Sequence, residues 1–94
     1  MKLRYTARAK ADLGEIFDYV AQDNPRAAAR IIAKIHNSVA SLAANPSLGR
    51  QGRVDGTREL VVAHMPYIAA YRVRENEIQV LAIIHAARLW PDTL

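Results

Sequence analysis

The sequence contains no cysteine, which excludes disulfide bonds, thiolate metal sites and cysteine nucleophiles. No apolar run approaches the roughly 20 residues that a membrane-spanning helix needs. No apolar segment follows the N-terminal residues 1–6, so we expect no signal peptide, no membrane attachment and a cytoplasmic protein. Phosphate-binding glycine loops, dinucleotide fingerprints and zinc-binding helix motifs are also missing, and the three histidines are scattered. We therefore expect neither a cofactor nor a metal.

Positive charge is concentrated in the middle third of the chain. The 94 residues suffice for one domain with one core, and the net charge is +4. Residues 25–58 carry six basic side chains against Asp55 alone, whereas the flanking segments are balanced or slightly acidic. A basic patch of this kind attracts nucleic acid or an acidic protein segment. An ordinary solvated surface explains it equally well.

The first half of the chain predicts one strand and two helices. Lys2–Tyr5 alternates polar and apolar residues, as a short strand does. Thr6 can cap a helix that runs to about residue 22. Asn24-Pro25 is a strong start for a second helix over residues 25–44. Apolar residues recur at helical spacing in both segments, so each helix is expected to bury one face.

The basic side chains of the middle third fall on one helix and in one loop. Arg26, Arg30 and Lys34 recur every four residues of the second helix and therefore line one exposed edge. Arg50 and Arg53 lie in the glycine-containing segment 45–57, the one long loop of the chain. Loops of this length in a compact domain are typically functional or partly disordered.

The second half of the chain predicts three strands, over Arg58–His64, Tyr67–Arg74 and Glu77–His85. The last strand is apolar on both faces and is therefore expected to be central. The order β-α-α-β-β-β predicts an α+β fold in which an antiparallel sheet carries a helical hairpin on one face. No further element is left to cover the other face. Apolar residues there would form an exposed patch, which is typical of a protein interface.

Candidate catalytic residues cluster toward the end of the chain. An apolar run stops at His85, which can exchange protons near neutral pH, and Arg88 follows. Arg58 and Arg72 would join them at one place if the last three strands are neighbours. Such a set suits acid–base cleavage of RNA, in which a guanidinium stabilises the developing charge. It suits the binding of an acidic protein equally well.

Three aromatic side chains could contribute to the same region. Tyr67, Tyr71 and Trp90 could stack on nucleic-acid bases. Tyrosines on one strand face are also ordinary core residues whose hydroxyls find partners.

The chain resembles the RelE/ParE superfamily of small bacterial toxins from type II toxin–antitoxin modules over nearly its whole length. The segments that carry the resemblance are Tyr5-Thr6-Ala7-x-Ala9-x-Ala11-Asp12-Leu13, Leu42-x-x-Asn45-Pro46-x-x-Gly49-Arg50, Gly56-Thr57-Arg58-Glu59-Leu60-Val61, Pro66-Tyr67-Ile68-x-x-Tyr71-Arg72-Val73 and Ile83-Ile84-His85-x-x-Arg88-x-Trp90-Pro91. Their order and spacing fit the superfamily.

The resemblance implies one of two toxic mechanisms. RelE-like members cut mRNA in the ribosomal A site, whereas ParE-like members poison DNA gyrase. A catalytic arginine of the RelE type falls at Ile68 in this chain, and a second basic position of the tail falls at Trp90. The resemblance is therefore closer to the ParE-like branch and favours gyrase as the target. The alternative is ribosome-dependent mRNA cleavage by His85, Arg88, Arg72 and Arg58.

The resemblance also implies a cognate antitoxin that binds the toxin directly. The toxin is expected to associate with operator DNA only through this antitoxin. An antitoxin with a disordered, acidic-to-apolar tail would wrap the uncovered sheet face and the basic helix edge, folding as it binds. The residues expected to bind the target or the antitoxin are Arg26, Arg30, Lys34, Arg50, Arg53, Tyr71 and Trp90.

Overall fold

A computed structural model describes residues 1–88, 90, 91 and 94 of the chain. Two helices pack on one face of a five-stranded sheet, which confirms the predicted α+β class. The elements are β1 Lys2–Tyr5, α1 Ala7–Ala21, α2 Pro25–Ala40, a short 3-10 helix Ser41–Ala43, β2 Arg50–Gln51, β3 Arg58–Val61, β4 Tyr67–Arg74 and β5 Glu77–His85.

Both helices begin at the side-chain caps expected from the sequence. The Thr6 hydroxyl accepts a hydrogen bond from the Ala9 N–H at 3.2 Å, and the Asn24 side chain accepts one from the Ala27 N–H at 3.1 Å. These bonds satisfy donors that the first helical turn otherwise leaves without a partner. The end of α2 differs from the prediction, because the chain tightens into the 3-10 helix after residue 40.

The sheet is mixed, so the expectation of an antiparallel sheet is wrong for one strand pair. The strand order is β1-β5-β4-β3-β2, with β1 parallel to β5 and every other pair antiparallel. The alternation in β1 reveals which residues face the core but not the direction of the strand. β5 is flanked on both sides, as its apolar sequence predicts.

The predicted long loop and the strand after it differ in detail from the structure. The two-residue strand β2 lies within segment 45–57 and pairs with β3. β3 ends at Val61 rather than at His64, because His64 takes a φ of 63° in the turn that leads into β4.

A β-bulge in β5 changes which face of the sheet the following side chains occupy. Ala70 pairs with Ala82 whereas Tyr71 pairs with Val80, so Leu81 is an extra residue in β5. Residues beyond the bulge therefore change sides. The cluster beneath the helices contains Leu13, Ile35, Val39, Leu42, Leu60, Val62, Tyr71, Ile78, Val80 and Ile83.

The chain covers part of its own open sheet face, the face opposite the helices. Ala70, Ala82 and Ile84 form a second buried cluster there, and Trp90 and Leu94 pack against it. The expectation that nothing in the chain covers this face is therefore wrong at this end of the sheet. The covering residues Trp90 and Leu94 follow the last strand, and no helical or strand periodicity predicts where they lie.

Side chains at the start of α1 protect the edge of β5 beyond the end of β1. The Thr6 hydroxyl donates to the Leu81 carbonyl at 3.1 Å, and the Asp12 carboxylate accepts from the Ile83 N–H at 2.9 Å. Exposed strand edges invite pairing with other chains, and these bonds occupy two of the edge groups.

Asp12→Ala is expected to lower the free energy of unfolding by about 1–3 kcal/mol, because the Ile83 N–H loses its acceptor. Urea denaturation measures the change. Asp18→Ala, at an exposed position of the same helix, is the matched control, since both substitutions change helix propensity equally. Equal stability of the two variants would contradict a role for Asp12 at the strand edge.

Candidate functional site

His85 ends β5 on the side of the sheet that carries the helices. It lies opposite Tyr67 of β4, and the two rings meet edge to face with centroids 5.6 Å apart. The Ala87 N–H donates to Nδ1 of His85 at 3.1 Å. Nδ1 therefore acts as an acceptor, and the proton of the neutral ring is placed on Nε2.

A groove of about 440 Å³ adjoins this imidazole, between α1 and the ends of β4 and β5. Its lining residues are Asp12, Glu15, Ile16, Tyr19, Tyr67, Ile83, His85, Ala87 and Arg88. The groove thus combines an imidazole, two carboxylates, two phenols and a guanidinium. His85 and Arg88, two of the predicted catalytic candidates, are neighbours here.

The other two catalytic candidates lie elsewhere, so the expected convergence of the four residues is wrong. Arg72 is five positions along β4 from Tyr67, which corresponds to about 17 Å along the strand. Its Nε donates to the Gln79 side chain at 2.7 Å. Arg58 donates through Nη1 to the Gly49 carbonyl at 2.8 Å, and so holds the loop before β2.

The bulge at Leu81 explains why His85 and Arg72 are on opposite faces. Strict alternation along β5 would place His85 on the same face as Gln79, which pairs with Arg72. The extra residue shifts the alternation by one, so His85 faces the helices with Ile83. A one-residue change of register moves every following side chain across the sheet.

A buried carboxylate organises the basic loop on the open face. Glu59 of β3 is 3% exposed and accepts from the Arg53 backbone N–H at 2.9 Å, the Arg53 Nε at 3.2 Å and the Arg50 Nη2 at 3.3 Å. Burial raises the pKa of Glu59, but the hydrogen bonds from Arg53 and Arg50 and the charge of Arg53 outweigh it and lower the pKa overall. Glu59 therefore holds both arginines in place.

Three predicted binding residues lie together beside this carboxylate. The Arg53 guanidinium carbon lies 3.7 Å from the centre of the Trp90 ring, a cation–π contact. Arg50, Arg53 and Trp90 are thus close together on the open face. Glu59 was not among the predicted site residues. Its acidic side chain in an apolar strand is the one local signal, and it does not identify the loop arginines as partners.

Tyr71 is not available for binding, which corrects its place among the predicted binding residues. Its side chain is fully buried beneath the helices. The hydroxyl donates to the Pro46 carbonyl at 2.7 Å and accepts from the Gly49 N–H at 2.9 Å. A Cβ at position 49 would lie 2.7 Å from this hydroxyl, so the close approach of the loop requires glycine.

The basic edge of α2 is exposed as expected. Arg26, Arg30 and Lys34 are all exposed, and the inward residues Ile35 and Val39 fix the orientation of the helix. This edge lies on the helix side of the molecule, so it is separate from the arginines around Glu59. A binding role for it remains a prediction.

A second group of basic residues, which the sequence did not reveal, lies at one end of the open face. Lys2 and Arg74 flank Glu77, and Arg4 and Arg72 flank Gln79, in the register of three neighbouring strands. We call these four basic residues the cationic corner. The sequence segments that carry these residues are balanced in charge. The four residues come together because β1 pairs in parallel with β5.

Hydrogen bonds connect the cationic corner internally. The Arg4 Nε donates to Glu77 at 3.2 Å, and the Gln79 side-chain amide donates to the same oxygen at 2.8 Å. The hydrogen bonds from Gln79 and Arg4 lower the pKa of Glu77. The carboxylate is therefore charged at neutral pH and orients Arg4.

The described part of the chain contains no group of three or more His, Asp or Glu residues placed to hold a metal ion. Within the same residues, neither helix has the length and apolar character needed to cross a membrane.

Comparison with known proteins identifies the family. Residues 3–90 match the family described as "ParE toxin of type II toxin-antitoxin system, parDE". The chain belongs to the ParE toxin family. This ParE-family chain is 44% identical over 93 residues to "Putative toxin Y4kP" of Sinorhizobium fredii, covering 99% of the chain and 96% of that protein. It is 41% identical over 85 residues to "Toxin RelE2" of Caulobacter vibrioides, covering 90% and 94%.

Solved structures agree with this membership. A chain of the chromosomal ParDE system from P. aeruginosa is 38% identical, with a TM-score of 0.82, and the match covers 90% of the ParE-family chain and 95% of that chain. A chain from the RelBE2 toxin–antitoxin complex of Mycobacterium tuberculosis is 22% identical, with a TM-score of 0.61, over 93% and 92%. The latter likeness concerns the fold alone.

Proposed function

We propose that this toxin arrests bacterial growth by binding DNA gyrase without catalysing a reaction, and that a cognate antitoxin neutralises it by direct binding. The observation that favours a non-catalytic mechanism, and with it the gyrase branch, is the dispersion of the four catalytic candidates. His85 and Arg88 line the groove, Arg72 is tied to Gln79 on the opposite face, and Arg58 holds a loop.

Acid–base cleavage of RNA needs its acid, base and charge-stabilising groups within hydrogen-bond reach of one phosphodiester. The separation of about 17 Å between the positions of His85 and Arg72 along the sheet is too large for a shared phosphate. The identity to a P. aeruginosa ParDE chain also favours the gyrase-directed branch.

Two surfaces support antitoxin binding. The open face carries an apolar end, where Ala70, Ala82 and Ile84 lie beneath Trp90 and where Val61 of the neighbouring strand is 52% exposed. The exposed basic edge of α2 supplies positive charge on the other side. An antitoxin segment with apolar and acidic parts fits both surfaces, and it would order as it wraps the toxin.

The proposal is tested by inducing the chain in bacteria, with and without its neighbouring antitoxin, and by adding the purified protein to gyrase. We expect growth arrest that the antitoxin reverses, accumulation of gyrase-cleaved DNA and no new mRNA ends at codon boundaries. Growth curves measure the first outcome, supercoiling and DNA-cleavage assays with gyrase measure the second, and mapping of RNA 5′ ends measures the third.

His85→Ala and Arg88→Ala distinguish binding from catalysis. A gyrase-binding toxin should keep most of its effect in His85→Ala, because no proton transfer is needed. A ribosome-dependent nuclease should lose roughly 10²–10⁴-fold of its cleavage rate when a general acid or base is removed. New mRNA ends that disappear in His85→Ala would replace the gyrase proposal with the nuclease alternative.

A further inference from the structure

We propose that the cationic corner binds the phosphate backbone of duplex DNA. Its four basic side chains project from one face of three adjacent strands, with Glu77 as the one carboxylate between them. Strands lie about 4.8 Å apart and alternate residues about 7 Å apart, so the four Cα atoms outline a rectangle of about 10 by 7 Å. Glu75 lies in the adjoining turn, so four positive charges stand against two negative ones and the surface remains positive.

The two arginines of the corner are oriented before any ligand arrives. Arg4 uses its Nε for Glu77, and Arg72 uses its Nε for the Gln79 side chain. Both bonds leave the terminal Nη donors available for an external acceptor. The Arg4 side chain is 52% exposed, so its donors are accessible, whereas Arg72 is half-buried. A guanidinium held in this way is well suited to a bidentate contact with phosphate.

The surroundings of the corner favour DNA over a protein partner. The other side chains that share this face within the corner are Glu77 and Gln79, and neither supplies an apolar anchor. Arginine is common in protein interfaces too, but the energetic centre of such an interface also needs buried aromatic or aliphatic groups, which the corner lacks. The apolar end of the open face, around Ala82 and Trp90, provides such groups instead.

The corner also favours a duplex over a single strand. Proteins that bind single-stranded nucleic acid stack bases on aromatic side chains. The tyrosines of the corner strands, Tyr5, Tyr67 and Tyr71, pack with the core beneath the helices instead. The corner therefore has basic side chains without a stacking platform, and these are suited to phosphate contacts that do not depend on the base sequence.

This inference rests on the proposed gyrase target for its biological setting, because gyrase holds DNA while it acts. The corner would give the toxin a contact with that DNA in addition to its contact with the enzyme. The DNA contact itself is measured without gyrase, so the two proposals fail separately.

The test is fluorescence anisotropy of the purified chain with a short labelled duplex of arbitrary sequence, over a series of salt concentrations. Each phosphate contact contributes roughly 0.9 to the slope of log affinity against log salt. The double substitution K2Q/R74Q should therefore lower that slope by about two and weaken binding more than tenfold at low salt. The control R8Q/K10Q removes the same charge from exposed positions of α1, outside the proposed binding surfaces, and should leave the slope unchanged.

Three results would overturn the inference. The inference is overturned if the wild-type protein does not bind the duplex. It is also overturned if both double variants lose the same amount of slope, because the effect would then come from net charge alone. K2Q/R74Q that weakens binding of the antitoxin but not of DNA would assign the corner to an acidic protein segment. If DNA is not bound while gyrase-cleaved DNA still accumulates, the corner inference fails and the proposed function stands.

Discussion

Tyr71→Ala is expected to lower the free energy of unfolding by about 3–5 kcal/mol, the largest effect of any single substitution considered. The fully buried ring fills the core beneath the helices, and its removal leaves a cavity. The hydroxyl also ties the loop through Pro46 and Gly49. Urea denaturation followed by circular dichroism measures the loss.

Tyr71→Phe separates packing from hydrogen bonding at the same position. It keeps the ring but leaves the Gly49 N–H and the Pro46 carbonyl without their partner, at a cost of about 1–3 kcal/mol. Tyr19→Phe, at a position that is 73% exposed, is the matched control and should be neutral. If Tyr71→Phe were as neutral as Tyr19→Phe, the hydroxyl would have no role in holding the loop.

Glu59→Ala is expected to destabilise the fold by about 3 kcal/mol, because a buried carboxylate that accepts from four donors is lost. The estimate is at the low end for buried ion pairs, since the side chains of Arg50 and Arg53 are 59% and 48% exposed and can be rehydrated. Loss of the carboxylate should also release Arg53 from Trp90. Glu75→Ala, at an exposed turn position, is the control.

The contribution of Glu59 should depend on pH in a defined direction. Its pKa is lowered in the folded protein, so the folded state favours the charged carboxylate. The stabilisation is therefore complete above the unfolded pKa of about 4.3 and is lost as the pH falls through the lowered folded value. Wild type and Glu59→Gln should converge in stability at acidic pH, as denaturation between neutral and acidic pH would measure. A constant difference across that range would contradict the assigned ion pairs.

Features that depend on neighbouring residues were predictable from the sequence. Thr6 and Asn24 mark the helix starts because a cap acts on backbone groups only three residues away. The exposed edge of α2 follows from helical spacing alone. The apolar run that ends at His85 likewise predicted a flanked strand.

Features that depend on distant residues were not predictable. The extra residue at Leu81 has no local signal, yet it decides which face His85 occupies. The direction of β1 depends on the path of the helical hairpin. The position of the cationic corner depends in turn on the direction of β1. Glu59 acquires its partners only when the loop that carries Arg50 and Arg53 folds over the sheet. Each of these outcomes arises from tertiary pairing, which overrides the local pattern.

The parallel pairing of β1 with β5 also has a consequence for the order of folding. Lys2–Tyr5 is synthesised before both helices and the other strands, whereas the residues that pair with it, from Glu77 to Val80, follow all of these elements. A contact between such distant segments closes a long loop and forms late. Leu3 and Tyr5 therefore have no sheet to pack on until β5 has been synthesised. The cationic corner, which needs both strands, can form only after that point.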